Sequence, residues 1–207
     1  MKSYIFNLIV LVALFSLDFI EAKREPPNKY ITPIQAGICK TALVKSNGTQ
    51  NPNGECSSQI LGDLPSSSKM VSTLIVSPEN GAEITANKRF KIRVEISNLQ
   101  TGFFADPATD YYDVPQTLTE DGIIRGHVHI SVQKLIGNGI PNPNLVEFFE
   151  GLSDVVDNKG GLETEVPGLF PGFYRLCTMT ASESHQPVVM PVARRGSQDD
   201  CIRFSVT

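Results

Sequence analysis

Residues 126–135 read GHVHISVQKL and alternate between apolar and polar side chains. Because successive side chains of a strand point to opposite faces, this pattern predicts a half-buried β-strand. Its valines and isoleucine occupy one face, and His127 and His129 occupy the face turned away from them. The chain has three histidines, and two of them are therefore expected side by side.

The same period recurs on both sides of this stretch. Residues 90–97, FKIRVEIS, alternate without a break. Shorter runs of the same kind lie at residues 73–76, 162–166, 174–179 and 201–206. Turns rich in proline and glycine separate about seven such runs, and no amphipathic helix stands out. The sequence predicts an all-β fold, an antiparallel immunoglobulin-like β-sandwich over residues 71–207.

The first residues have the pattern of an export signal. Lys2 precedes an apolar run that ends near Leu17, and a small residue, Ala22, follows. This is typical of a secretory signal peptide, here over residues 1–22. The run is too short to favour a membrane span, and no later segment resembles one. We expect a secreted, extracellular protein without a membrane span.

Residues 23–70 are rich in proline, asparagine, serine and glycine. They predict a variable arm that is loop-rich or disordered. The arm opens on Lys23-Arg24, which is either a target of a processing protease or a chance pair. Asn47 begins the sequon Asn-Gly-Thr and is expected to carry a glycan.

The net charge is −4 and the basic residues are not clustered. Nucleic acid is therefore not expected as a partner, since phosphate binding needs concentrated Lys and Arg.

Four cysteines predict disulfide bonds in an exported chain, with three connectivities open. We favour Cys39 with Cys56 and Cys177 with Cys201, because each pair lies within one local unit. In the second pair, both sulfurs are expected on the outward side of neighbouring strands.

A metal site is the sharpest hypothesis for chemistry. His127 and His129 can present two imidazoles to one ion, and His185 completes a three-histidine set if its loop folds back. Copper or zinc would be the ion. Asp199, Asp200 or water would supply a fourth ligand.

Enzymatic activity is not expected. There is no Gly-x-Ser-x-Gly turn for a nucleophile and no phosphate-binding glycine loop. Asp199 and Asp200 are adjacent, so they would face opposite sides of a strand and could not share a substrate.

Several short motifs, taken in order, resemble a family of secreted fungal proteins that carry a Gly-His-x-His motif. Most of these proteins are uncharacterised, and some are labelled as ribosomal. The matching segments are Asn80-Gly81-Ala82, Gly126-His127-Val128-His129, Phe148-Phe149-Glu150-Gly151-Leu152, Pro171-Gly172-Phe173-Tyr174-Arg175 and His185-Gln186-Pro187. The resemblance includes all three histidines and implies no activity.

A sequon-bearing arm, a β-rich carboxy-terminal domain and four cysteines also resemble the rust transferred proteins. These are effectors that rust fungi deliver into plant cells, and they are likened to cysteine-protease inhibitors. Chagasin-type inhibitors share the immunoglobulin-like fold and use an Asn-Pro-Thr-Thr-Gly-aromatic loop. Asn98, Thr101, Gly102 and Phe103 match that loop, although Leu99 replaces its proline. The resemblance implies an inhibitory loop and a papain-like protease as partner.

The sequence predicts a secreted, non-enzymatic fungal effector that binds a host or cell-surface protein, with transfer into host cells as a further implication of the rust-protein resemblance. Two alternatives stay open: a cysteine-protease inhibitor of chagasin-like type, and a copper- or zinc-binding extracellular protein. Residues 71–76 and 188–192 are short apolar candidates for edge strands, so self-association is a further expectation.

Overall fold

The computed structural model of the protein describes residues 61–111, 114–137, 139–152, 154, 156–157 and 160–207. The predicted signal peptide, the dibasic pair, the sequon at Asn47 and the pair Cys39–Cys56 lie outside these residues. Within them, no helix has the length and apolar character needed to cross a membrane.

Nine β-strands form two sheets in the described part of the chain. They are Ser72–Ser77 (β1), Glu83–Ile84 (β2), Phe90–Ser97 (β3), Leu99–Gln100 (β4), Ile124–Leu135 (β5), Phe148–Leu152 (β6), Gly161–Val166 (β7), Gly172–Ser182 (β8) and Cys201–Val206 (β9). One sheet has the order β1-β3-β7; the other has the order β2-β9-β8-β5-β4, with β6 also paired to β5. Only the two-residue pairings β2–β9 and β4–β5 are parallel among these strands. The predicted antiparallel β-sandwich is confirmed.

The main core contains buried side chains from both sheets. Ile92 and Val94 of β3 join Ile130 and Val132 of β5 and Phe204 of β9 in one buried cluster. Burying an apolar side chain of this size contributes about 1.5–3 kcal/mol. A second, smaller cluster includes residues from the first half of β5. Its buried members are Val71, Leu99, Ile124, Val128, Val188 and Met190.

Strand β5 is buried on both faces, whereas its alternating pattern predicted a half-buried strand. His127 is fully buried and His129 is 8% exposed. A loop that includes Phe103 and Phe104 covers the histidine face, together with the turn that carries His185. Alternation indicates which side chains share a face, but the cover on that face comes from segments distant in the sequence.

Gln116 joins the first described residues to the sandwich. Its side chain is 1% exposed, and its Nε2 donates to the carbonyl oxygens of Asp63, at 2.7 Å, and Val189, at 3.1 Å. Its Oε1 accepts from the Val189 N–H at 2.8 Å. Residues 61–70, which the sequence assigned to the arm, thus have fixed contacts with the domain, and they include a short 3-10 helix, Ser67–Lys69.

The disulfide bond between Cys177 and Cys201 is confirmed. It links β8 to β9, where these two residues lie opposite each other in the antiparallel register. The neighbouring pair, Leu176 and Ile202, is buried, so the sulfurs lie on the outward side as predicted.

The two candidate edge strands differ. β1 lies at an edge of its sheet. Residues 188–192 contain no strand, and Val188 and Met190 are buried in the second cluster. Self-association stays a prediction.

Candidate metal centre

One strand and one turn bring the three histidines together. The rings of His127 and His129, two residues apart on β5, have centroids 4.7 Å from each other. β8 runs antiparallel to β5 and ends with Ser182 opposite Gly126. The following turn returns His185 to the same place, with ring centroids 4.7 Å from His127 and 5.4 Å from His129.

The backbone around the cluster depends on two unusual positions. At Gly126 an added Cβ would lie 2.0 Å from the carbonyl oxygen of Ala181, so only glycine fits where β5 approaches β8. His185 has a φ of +63°, a left-handed conformation that is uncommon outside glycine. Its N–H donates to the Ser182 carbonyl oxygen at 3.2 Å, which holds the turn.

The imidazole nitrogens converge. One ring nitrogen from each of His127, His129 and His185 lies within 4.8 Å of the other two. Nitrogens bonded to one ion at about 2.0–2.1 Å lie about 3.3–3.6 Å from one another, so the rings would move closer together to bind an ion. The three residues that the sequence singled out are therefore the ones that the fold assembles.

One hydrogen bond determines which nitrogen of His127 is available. Its Nδ1 lies 3.0 Å from the carbonyl oxygen of Phe103. A carbonyl can only accept, so Nδ1 carries the hydrogen and Nε2 keeps its lone pair. That Nε2 is buried and has no hydrogen-bond partner among the described residues, and the same is true of Nδ1 of His185. Buried polar atoms without partners are rare, and a bound ion would satisfy both.

Burial keeps the three rings neutral. It lowers the pKa of His127 to about 3, with a further lowering by the nearby His129. The pKa of His129 falls to about 4, through burial and then through His185. Burial also lowers the pKa of His185. Neutral imidazole is the form that binds metal, so at neutral pH the cluster offers three lone pairs.

The two aspartates proposed as a fourth ligand have other contacts. Oδ1 of Asp199 accepts from the backbone N–H and the hydroxyl of Thr180, each at 2.7 Å. Oδ2 of Asp200 accepts from the N–H of Ile75 at 2.9 Å. Neither belongs to the group of converging ligand atoms. Three imidazoles therefore form the whole candidate set within the described residues.

Aromatic side chains surround the histidines. The Phe104 ring lies 4.5 Å from His127 and 4.7 Å from His185 between centroids. Phe149 stacks on His129 at 5.0 Å, and Tyr111 stacks on His185 at 4.6 Å. These rings pack against the imidazoles and limit the directions in which they can move.

A cavity of about 450 Å³ opens beside the cluster. His129 and His185 form part of its wall, and most of the rest is apolar. The other lining residues are Phe104, Pro107, Tyr111, Phe149, Gly151, Met179, Thr180, Ala181, Pro187 and Asp199.

Sequence reasoning missed the part played by Phe149. Two adjacent phenylalanines flanked by Glu147 and Glu150 are typical of a pair of core aromatics, but Phe149 is 55% exposed and lies against His129. The signal was available, since adjacent residues of a strand face opposite sides and Phe148 packs on the main core. Assigning residues 148–152 to a strand would have separated the two rings.

The predicted inhibitory loop supports the histidine cluster. The Asn98 side chain donates to the carbonyl oxygen of Met70 at 2.9 Å, and Thr101 is buried, with its hydroxyl accepting from the N–H of Val156. Gly102 is exposed, with a φ of +94°. Phe103 supplies the carbonyl that orients His127. Inhibition by this loop stays a prediction.

The sandwich and its histidine cluster define a β-sandwich protein with a candidate metal centre. The chain belongs to the family described as the CLU5d N-terminal domain, which matches residues 73–207. Over 167 residues it is 42% identical to Pathogenicity cluster 5 protein d of the fungus Colletotrichum graminicola, an alignment that covers 78% of this chain and 35% of that protein. The chain thus spans about a third of the length of this curated relative. Membership of a fungal family, expected from the motifs, is confirmed.

Solved structures with a similar arrangement of strands are remote. A superoxide reductase (neelaredoxin) from Ignicoccus hospitalis is 9% identical with a TM-score of 0.34, covering 69% of this chain and 87% of that one. The PmoD soluble domain from a Methylocystis species is 14% identical with a TM-score of 0.32, covering 66% and 89%. Likenesses this weak establish nothing about function.

Proposed function

We propose that this chain is a virulence-associated fungal protein that binds one copper or zinc ion through His127, His129 and His185. Metal binding is supported by the convergence of three neutral imidazoles. Two of them have a buried ring nitrogen with no hydrogen-bond partner among the described residues. The role in virulence rests on the name of the related Colletotrichum protein.

The donor set favours copper or zinc over other common ions. Imidazole suits both metals, whereas magnesium and calcium require several oxygen ligands. The two cysteines of the described residues are bonded to each other and offer no thiolate. The carbonyl of Phe103 behind His127 is the outer-shell partner that metal-binding histidines commonly have.

We further propose that the protein is secreted and acts without catalysis, as an effector that binds at the host or cell surface. A disulfide between β8 and β9 is compatible with an oxidising, extracellular setting. The bound ion would then stabilise the fold and shape the surface around the cavity.

Metal content tests the proposal directly. The protein would be purified without a His tag from a secretory host and analysed by mass spectrometry, beside His127→Ala/His129→Ala. Ser131→Ala, two residues further along the same strand, is the matched control. We expect close to one copper or zinc ion per chain in the parent and the control, and none in the double variant. Metal-free parent protein that also fails to take up either ion on addition would refute the proposal.

Inhibition of a papain-like protease is a second candidate. The observation that favours it is the exposed, left-handed Gly102 between β4 and the aromatic pair Phe103–Phe104. Gly102→Val would strain this left-handed backbone, so inhibition should be lost. Equal inhibition of papain by parent and variant would exclude the loop, and no inhibition by the parent would exclude the activity.

A further inference from the structure

The cavity beside the histidines has one side that could hold an ion and another that is apolar. His129 and His185 form part of its wall, whereas His127 is fully buried and is absent from the lining. An ion held by all three rings would therefore lie at this wall. Three protein ligands leave at least one coordination position of copper or zinc open, and the cavity is the space that this position would face.

The remaining wall suits a flat apolar group. Phe104, Phe149 and Met179 contribute aromatic and thioether surface, and both kinds of group make favourable contacts with aromatic rings. None of the described lining residues is lysine or arginine. The carboxylate of Asp199 already accepts hydrogen bonds from Thr180. A sugar or a phosphate would find few polar partners on this wall.

The volume of the cavity and the exposure of its apolar wall also favour a small aromatic ligand. A volume of about 450 Å³ lies within the range of small-molecule pockets, about 300–1,000 Å³. Two of its apolar residues, Phe149 and Met179, are 55% and 48% exposed. A bound ring would cover this surface, which water now contacts.

From these observations we infer that the cavity binds a one-ring aromatic molecule with an anionic oxygen donor, such as a phenolate or an aromatic carboxylate. The oxygen would occupy the open position of the ion, and the ring would lie against Phe104, Phe149 and Met179. This inference rests on the proposed metal site and identifies the class of ligand that the site accepts.

Two probes distinguish the contribution of the aromatic ring to affinity from that of the metal-binding group. Benzohydroxamate and acetohydroxamate bind metals through the same group, but only the first carries an aromatic ring. Each would be titrated by calorimetry into metal-free protein and into protein loaded with cobalt(II), whose visible spectrum reports ligation. Metal content would be measured again after gel filtration, to show that neither probe removes the ion.

We expect benzohydroxamate to bind the loaded protein at least about tenfold more tightly than acetohydroxamate, since contacts between aromatic rings add to burial. Binding should change the cobalt spectrum, and metal-free protein should bind far more weakly. Phe149→Ala should lower the ratio of the benzohydroxamate affinity to the acetohydroxamate affinity, because it removes aromatic surface that only the first probe can contact. Phe170→Ala, 72% exposed and outside the lining, is the control and should behave like the parent.

The possible failures are distinguishable. Protein that holds the ion but binds both probes equally, or shows no spectral change, would overturn the ligand class and leave the metal site standing. Equal binding of benzohydroxamate by metal-free and loaded protein would also overturn it, because the ring alone would account for affinity. Protein that takes up no ion would refute the metal site, and this inference with it.

Discussion

Each histidine of the cluster has a pKa below its ordinary value, and this gives the metal-free protein a definite pH dependence. The pKa of His127 is about 3 and that of His129 about 4 in the folded chain, against 6.5 ordinarily. Between these values the unfolded chain binds more protons than the folded one. The free energy of unfolding therefore falls as the pH drops below 6.5.

Urea unfolding of metal-free protein at several pH values measures this slope. The carboxyl of Glu163, whose pKa is lowered from 4.5 by Lys91 and Arg93, contributes at lower pH, so the interval from 6.5 to 4.5 reports the histidines. His129→Gln should have a shallower slope than the parent there. A parent whose stability is constant across that interval would contradict the burial of neutral rings.

Only part of the histidine cluster could be predicted residue by residue. The alternating pattern was enough to pair His127 with His129 on one face. His185 joins them because of a left-handed turn after β8 and the register of β8 against β5, and neither can be inferred from short sequence segments. The contact of Phe149 with His129 likewise depends on the pairing of β6 with β5.

At the scale of elements, the disulfide between β8 and β9 is expected to contribute more to the free energy of unfolding than exposed ion pairs do. Cys177 and Cys201 are 24 residues apart, and closing such a loop stabilises a protein by about 3 kcal/mol. Cys177→Ser/Cys201→Ser should lower the free energy of unfolding by about that amount in urea.

The ion pair between Lys91 and Glu163, across β3 and β7, provides the comparison. Its side chains are 67% and 43% exposed, and pairs of this kind contribute about 0–1 kcal/mol. Lys91→Ala should therefore change stability far less than removal of the disulfide. A double serine variant as stable as the parent would show that the loop is already ordered in the unfolded chain.

The strands themselves were predictable because proline and glycine turns separate clear alternating runs. β3, β7, β8 and β9 all lie where that period placed them. The pattern could not reveal that β5 is buried on both faces, since its cover comes from the segment around Phe103 and Phe104. It also could not reveal β4, which is only two residues long.

At the scale of the whole molecule, Gln116 connects three segments distant in the sequence. Removing its side chain in Gln116→Ala would leave the N–H of Val189 without its acceptor and free the Asp63 carbonyl. Because unpaired buried groups cost about 1–3 kcal/mol each, we expect a loss of about 2 kcal/mol in urea unfolding. Gln186→Ala is the control, since the hydrogen bond that its side chain donates to the Leu61 carbonyl oxygen is exposed to solvent. Equal stability of the two variants would show that Gln116 does not anchor residues 61–63.

The hydrogen bond from Nδ1 of His127 to the Phe103 carbonyl would couple metal binding by the histidines to the position of the loop beside Gly102. An ion fixed by the histidines would hold His127, and through it the loop beside the exposed Gly102. A macromolecule that draws Phe103 outward would lower the affinity of the histidines for the ion. By thermodynamic reciprocity, the bound ion would lower the affinity for that macromolecule by the same factor. The surface near residue 102 and the affinity for metal are therefore expected to change together, so that the loaded and the empty protein present different faces to a partner.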